Sequence, residues 1–209
     1  MAETKRAKIT AVGRYLPEEK LTNRDLEKMV DTNDEWIQTR TGIKERRILK
    51  DDDKASAFMG AEAAREALDA RGVAAKDIDV VICATVTPDF LFPATACLIQ
   101  SKLGATDSYG FDLSAACSGF LYALSTGANM IESGRAGKVL VIGSDKMSAI
   151  TDYTDRTTCI LFGDAAAAVL LETSEDETGI IDYVHRSEGD TECALWQPAG
   201  GSRNPATHE

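Results

Sequence analysis

The chain has 209 residues, 44% of them apolar and 27% charged, and 34 acidic against 23 basic side chains leave a net charge of −11. At about 150 residues per domain this length allows one or two domains, and a folded chain of this size buries roughly 70% of the surface that its unfolded form exposes. The acidic balance argues against nucleic acid or an anionic membrane as a partner, since both need a basic face. The longest apolar run, residues 165–171, falls well short of the ~18 residues of a membrane helix, and MAETKRAKIT at the start lacks the apolar stretch of a secretory signal. A soluble, cytoplasmic globular protein is expected.

The elements follow from patterning. Residues 7–13 (AKITAVG) read as a strand that ends at the Leu16-Pro17 turn. Two short helices come next. Thr22 and Asp25 make one capping pattern ahead of Leu26, Met29 and Val30; Thr32 and Glu35 make a second, and Gly42 closes that helix after Arg40 and Thr41. The charged run KERRILKDDDK (44–54) holds a short strand around 47–49 and a solvated turn at 51–54. A helix over 55–71 carries Ala55, Met59, Ala63 and Leu68 toward a sheet. Residues 79–85 (DVVICAT) form a near-continuous apolar run, the mark of a strand covered on both faces. After a loop with Pro88 and Pro93, a helix is predicted at 94–103. A strand at 108–113 sets Tyr109, Phe111 and Leu113 on one face, and a helix follows from near Cys117 to Ser133. Further strands are predicted at 138–144, 159–162, 164–172 and 179–186. From Cys193 onward, QPAGGSRNPATHE reads as loop. Strands alternating with helices imply parallel pairing through right-handed crossovers.

There are five cysteines, Cys83, Cys97, Cys117, Cys159 and Cys193, with gaps of 14, 20, 42 and 34 and no C-x-x-C. The odd count, the spacing and the presence of only two histidines, His185 and His208, argue against a disulfide framework and against a metal site. Four of the thiols read as packing or loop residues. Cys117 is different, because in Asp112-Leu113-Ser114-Ala115-Ala116-Cys117-Ser118-Gly119-Phe120 a strand ends, small residues turn, and a helix begins at the cysteine. Cys117, Leu121, Leu124, Ala128 and Ile131 lie 4, 3, 4 and 3 apart, which places the thiol on the inward face of that helix. Unpaired N–H groups and the positive end of the helix dipole favour an anionic sulfur there and could hold a thioester oxyanion. These residues support two readings, a nucleophile and a small core residue in a tight turn.

The segment DLSAACSGFLYAL resembles the active-cysteine segment of the β-ketoacyl-acyl-carrier-protein synthase III family. LTNRDLEKMVDTNDEWIQTRTGIKERRI (21–48), PDFLFPATACLIQSKLG (88–104), VIGSDKMS (141–148), DYTDRTTCILFGDAAAAVLL (152–171) and PAGGSR (198–203) carry the same resemblance, which spans essentially the whole chain. It implies an α/β, thiolase-like fold: a mixed, largely parallel sheet with helices on both faces, the first half of an internal duplication. Residues 1–174 would form the N-terminal half with the active cysteine, and 175–209 the opening strand and loop of a C-terminal half. The implied activity is an acyltransferase of fatty-acid biosynthesis. Cys117 takes an acyl group from acyl-coenzyme A, and the acyl-enzyme then undergoes decarboxylative Claisen condensation with malonyl-acyl-carrier-protein. Acyl-coenzyme A is a substrate, and no separate cofactor is implied.

The resemblance also assigns residues. Those matching Trp36 and Arg156 stack on either side of the coenzyme's adenine, and Arg40 and Thr41 line its entrance. Trp36 and Arg40 are i, i+4 on one helix face, and flat aromatic and guanidinium groups suit both stacking and phosphate. On the residues alone, Trp36 could equally pack its helix to the core and Arg40 pair with an acid. Phe92 resembles a residue that reaches across a homodimer and walls the partner's acyl pocket, and Phe162 one near the catalytic pocket; both could be core aromatics. The family's catalytic His and Asn come from the second half of the duplication, and neither His185 nor His208 matches them. The chain therefore reads as a truncated synthase, in which the intact enzyme condenses and these 209 residues alone do not. A polyketide or secondary-metabolite starter synthase of the same fold and a non-catalytic dimerising fragment are the alternative readings.

Overall fold

A computed structural model describes residues 5–176, 178–189, 192 and 195–206. β1 (Ala7–Tyr15) is followed by a small antiparallel pair, β2 (Lys20–Thr22) and β3 (Glu45–Arg47), which encloses α1 (Asn23–Leu26) and α2 (Asp34–Thr41). α3 (Ser56–Arg71) then leads to β4 (Val80–Ala84), α4 (Thr95–Leu103) to β5 (Tyr109–Leu113), and α5 (Gly119–Glu132) to β6 (Lys138–Lys146), with β7 (Asp164–Thr173) after it.

The main sheet runs β1-β7-β6-β4-β5. β4 pairs in parallel with β5 and β6, and only β7 is reversed, antiparallel to β6 and to β1. Every residue of β4 is buried, as its unbroken apolar run requires. One side chain set, Val81, Cys83, Leu140, Ile142 and Leu170, packs with the alanines of α3 and with Ile99 of α4. The alternate set, Val80, Ile82, Val139, Val141 and Leu171, packs with Ala123, Ala128 and Ile131 of α5. The chain steps outward from β4 to β5 and then back across β4 to β6; crossovers of one hand in opposite directions put α4 and α5 on opposite faces. α3 lies so close to β1 that a Cβ on Gly13 would stand 2.2 Å from the Ala63 carbonyl oxygen, so only glycine fits at that position.

Several expected elements differ. Residues 159–162 are a turn and not a strand, because the Asp155 carboxylate binds the Thr157 N–H and the Thr158 hydroxyl, and the Cys159 N–H donates to the Asp155 carbonyl. The strand placed at 47–49 lies at Glu45–Arg47; beyond it the Ile48 N–H turns to Glu19 and the Leu49 N–H to the Asp164 carboxylate. Residues 179–186 form no strand either. The Ile180 N–H donates to Ala7, and the segment then binds α5 through side chains, Tyr183 to Asn129 and His185 to Ser125. The Thr22–Asp25 capping box is present, but α1 stops at Leu26, leaving Met29 exposed. α2 is capped by Asn33, whose side chain accepts the Trp36 N–H at 2.8 Å, and not by Thr32. Gly42 ends α2 at φ 74°, as expected.

Candidate active site

Cys117 is delivered by β5. The Asp112 carboxylate on that strand accepts the backbone N–H of Thr95 at 2.7 Å and of Ala96 at 2.8 Å, which ties the N-terminus of α4 to the strand. Beyond Leu113 the chain passes through a 3-10 turn at Ala116–Ser118, with Ala116 at φ 44°, a left-handed conformation unusual for a residue with a Cβ. α5 starts only at Gly119. The expected inward placement of the thiol is therefore corrected: Cys117 is exposed, and Leu121 is 55% exposed. α5 turns its small residues Gly119, Ala123 and Gly127, with Ile131, to the sheet, so the stripe read through Leu121 is already off the buried face within the helix and the 3-10 turn before it does not bring Cys117 inward. The result is a sulfur open to solvent just ahead of a 14-residue helix.

The other described cysteines are in different settings. Burial pushes the Cys83 thiol well above its ordinary pKa, reinforced by Asp112 and Asp145, and burial raises that of Cys159 as well. Cys97 is half-buried on α4 with its sulfur 3.7 Å from the Gly110 carbonyl. Cys193 and His208 lie outside the described residues. His185 holds the Ser125 hydroxyl at 2.9 Å and stacks on Tyr183 with ring centroids 5.0 Å apart, a packing role.

Around the strand ends the polar groups are closely knit. The Asp145 carboxylate of β6 accepts the Thr85 hydroxyl at 3.0 Å, the Val86 N–H at 2.8 Å and the Thr87 hydroxyl at 3.0 Å, which fixes the chain leaving β4. The buried Asp164 accepts from the Leu49 N–H, the Ser148 N–H and the Ser148 hydroxyl.

A second cluster forms on α2. The Arg40 guanidinium lies 5.0 Å and the Arg156 guanidinium 5.2 Å from the Trp36 ring centroid, so two cations from separate segments meet one indole. Arg156 also reaches Asp31 at 3.6 Å. The Thr41 hydroxyl donates to the Ile37 carbonyl and accepts the Ile43 N–H, closing the helix. Phe92 is 85% exposed, beside exposed Phe90 and Leu91. Phe162 is half-buried, next to Gly163, where a Cβ would stand 3.0 Å from that of Arg46. No hydrogen bond, ion pair or ring contact joins the Trp36 trio to Cys117, Phe92 or Phe162 among the described residues. Arg46, Asn23 and Asp164 are buried polar residues that the sequence reading passed over, as is the half-buried Asp145. The alternation of Glu45, Arg46 and Arg47 in a strand was the one available signal for the first of them.

Comparison with known proteins matches this arrangement to one group. A family model described as 3-oxoacyl-[acyl-carrier-protein (ACP)] synthase III matches residues 111–189, the stretch that contains Cys117. A protein of Chlorobaculum tepidum named beta-ketoacyl-[acyl-carrier-protein] synthase III is 56% identical over 206 residues, covering 98% of this chain and 63% of that protein. The crystal structure of 3-oxoacyl-[acyl-carrier-protein] synthase III from Aquifex aeolicus superposes with a TM-score of 0.79 at 54% identity, over 81% of this chain and 55% of that one. The priming β-ketosynthase of the R1128 polyketide pathway also superposes with a TM-score of 0.79, at 39% identity over 83% of this chain and 52% of that one. The chain thus spans about 63% of the length of the curated relatives it matches. In sequence over nearly its whole length, and in its thiolase-like fold, the chain is similar to proteins named β-ketoacyl-acyl-carrier-protein synthase III.

Proposed function

We propose that Cys117 is an acyl-accepting nucleophile and that the protein initiates fatty-acid synthesis as a β-ketoacyl-acyl-carrier-protein synthase III. The observation that carries this is the contrast among the thiols: Cys117 is exposed at the head of α5, while Cys83 and Cys159 are buried. In the first step the Cys117 sulfur attacks the thioester carbonyl of an acyl-coenzyme A. A new S–C bond forms, and the carbonyl–sulfur bond of the coenzyme breaks. The coenzyme leaves as a thiolate and takes up a proton. The oxygen that gains charge would form beside the N-terminal end of α5, where the helix dipole favours an anion. Covalent catalysis suits two bulky substrates that use one site in turn.

Trp36, Arg40 and Arg156 supply the coenzyme platform, one stacking face with two cations for phosphate. In the second step, loss of CO2 from malonyl-acyl-carrier-protein gives a carbanion that attacks the acyl-enzyme. That step needs groups to stabilise an enolate, and His185, engaged with Ser125 and Tyr183, is not one of them. The exposed Phe92 loop fits a homodimer contact, and the site of action is the cytoplasm. No resident cofactor takes part. A starter synthase of a polyketide pathway would share the first step and differ in its acceptor.

The test is mass spectrometry after incubation with acetyl-coenzyme A. An acetyl group on the Cys117 peptide, absent from Cys117→Ser, is expected. An unmodified Cys117 would leave the non-catalytic, dimerising reading in its place.

A further inference from the structure

Among the described residues, no carboxylate pairs with the Arg46 guanidinium. Arg46 lies on β3, is 4% exposed, and burial pushes its pKa below the ordinary arginine value. Its Nε donates to the Ile160 carbonyl at 2.9 Å, its Nη2 reaches the same oxygen, and its Nη1 donates to the Asn23 side-chain oxygen. Burying a charge against neutral acceptors is costly, and a well-packed apolar residue would be as stable or more so. What the guanidinium offers instead is direction, because its donors form a rigid planar fork.

The two ends of that fork lead to the two halves of the Trp36 cluster. On one side, Ile160 belongs to the loop of residues 151–163 that carries Arg156. On the other, Asn23 donates to Asp34 at 2.7 Å and to the Ile43 carbonyl at 2.8 Å, one residue at the start of α2 and one just past its end. Asn23 therefore brackets the helix that carries Trp36 and Arg40. We propose that Arg46 is a positioning residue, whose buried fork sets the distance between the loop bearing Arg156 and the helix bearing Trp36. Besides the Arg156–Trp36 contact itself, two other ties cross this gap among the described residues, and neither is directional. Leu26, Ile37, Cys159 and Ile160 form an apolar cluster, which brings the segments together without orienting them. The Arg156–Asp31 pair is exposed and weak.

The test reads Trp36 directly. In a Trp196→Phe background Trp36 is the only tryptophan, so acrylamide quenching reports how well Arg156 covers it. Arg46→Lys keeps a cation and loses the fork. It is expected to raise the quenching constant by the same factor as Arg156→Ala, and the double variant to rise no further. Quenching equal to the parent's in a folded Arg46→Lys, or effects that add in the double variant, would overturn the inference. Ile99→Val, a core change on the opposite side of the sheet from α5, is the control for destabilisation alone and should leave Trp36 quenching unchanged. Should Arg46→Lys not fold, Arg46→Met, which removes charge and fork together, is judged by the same criteria; failure of both to fold assigns Arg46 to global stability and rejects the positioning role.

A second arm rests on the coenzyme reading of the cluster. Coenzyme A affinity is expected to fall about threefold in Arg46→Lys and in Arg156→Ala alike, the worth of one exposed cation–π contact. A parent that binds no coenzyme A refutes the coenzyme reading, while the quenching data still decide the role of Arg46.

Discussion

Asp112→Asn is the sharpest probe of how the fold delivers Cys117. The Asp112 carboxylate takes two backbone N–H groups at the head of α4, from Thr95 at 2.7 Å and Ala96 at 2.8 Å. An amide of the same shape keeps one acceptor oxygen and turns an N–H toward the second donor. One charge-assisted bond, worth about 1.5–3 kcal/mol, is lost. The anion at the helix N-terminus contributes a further ~0.3–1 kcal/mol, also lost. The total is about 2–4 kcal/mol. In a chain of this length each kcal/mol moves the melting midpoint by roughly 2–4 °C, so a fall on the order of 10 °C is expected by circular dichroism. Asp107→Asn, the same change at an exposed position, should stay within ~0.5 kcal/mol of the parent. A midpoint for Asp112→Asn indistinguishable from that of Asp107→Asn would refute the claim that this carboxylate holds α4 to β5.

The remaining expectations concern recognition and pH. Trp36→Ala should weaken coenzyme A binding about tenfold by calorimetry, since a stacked base is worth about 1–3 kcal/mol; unchanged affinity would remove Trp36 from the coenzyme platform. The Asp25 carboxyl is held at about 2, below its ordinary 3.8, chiefly by the Thr22 hydroxyl and then by Lys28. A folded-state pKa below the unfolded one means that the capping box adds stability above pH 3.8 and loses it as pH falls through about 2. Carbon NMR of the Asp25 carboxyl should titrate near that lower value, and a midpoint near 3.8 would contradict the capping geometry.

The sheet was legible where burial leaves one solution. An unbroken apolar run such as 80–84 has no solvent face, so it must lie in the middle of a covered sheet. CILF at 159–162 is equally apolar but follows Asp155, whose carboxylate gathers the next turn before any strand partner can. The stretch 179–186 shows the same limit from another direction: its apolar residues suit a strand, and its side chains bind α5 instead. Cys117 was legible as a site and misplaced by its phase, because α5 buries a stripe of small residues, Gly119, Ala123 and Gly127, and not the one that runs through Leu121. Trp36 and Arg40 follow from helical spacing. Arg156, more than a hundred residues away, entered only through family resemblance. Arg46 was hidden in KERRILKDDDK, where a charge ordinarily means solvent, and only the structure shows it inside.

These placements divide the site into two mechanical parts. The nucleophile's turn is held by rigid elements: Asp112 binds α4 to β5, and Asp145 binds the end of β4 to β6, so Cys117 leaves a sheet whose neighbouring strand ends are fixed by charge-assisted bonds. The Trp36 cluster, in contrast, joins a short helix to a turn-rich loop with no strand ladder between them. Segments of that kind drift unless a directional contact fixes them, because apolar packing tolerates sliding and an exposed ion pair contributes little. A buried guanidinium bound to a loop carbonyl on one side and to a bracket around the helix on the other supplies that direction. Reaction chemistry placed on the sheet can then stay constant while the recognition loop changes in sequence around Arg156, provided that the carbonyl of residue 160 still meets Arg46.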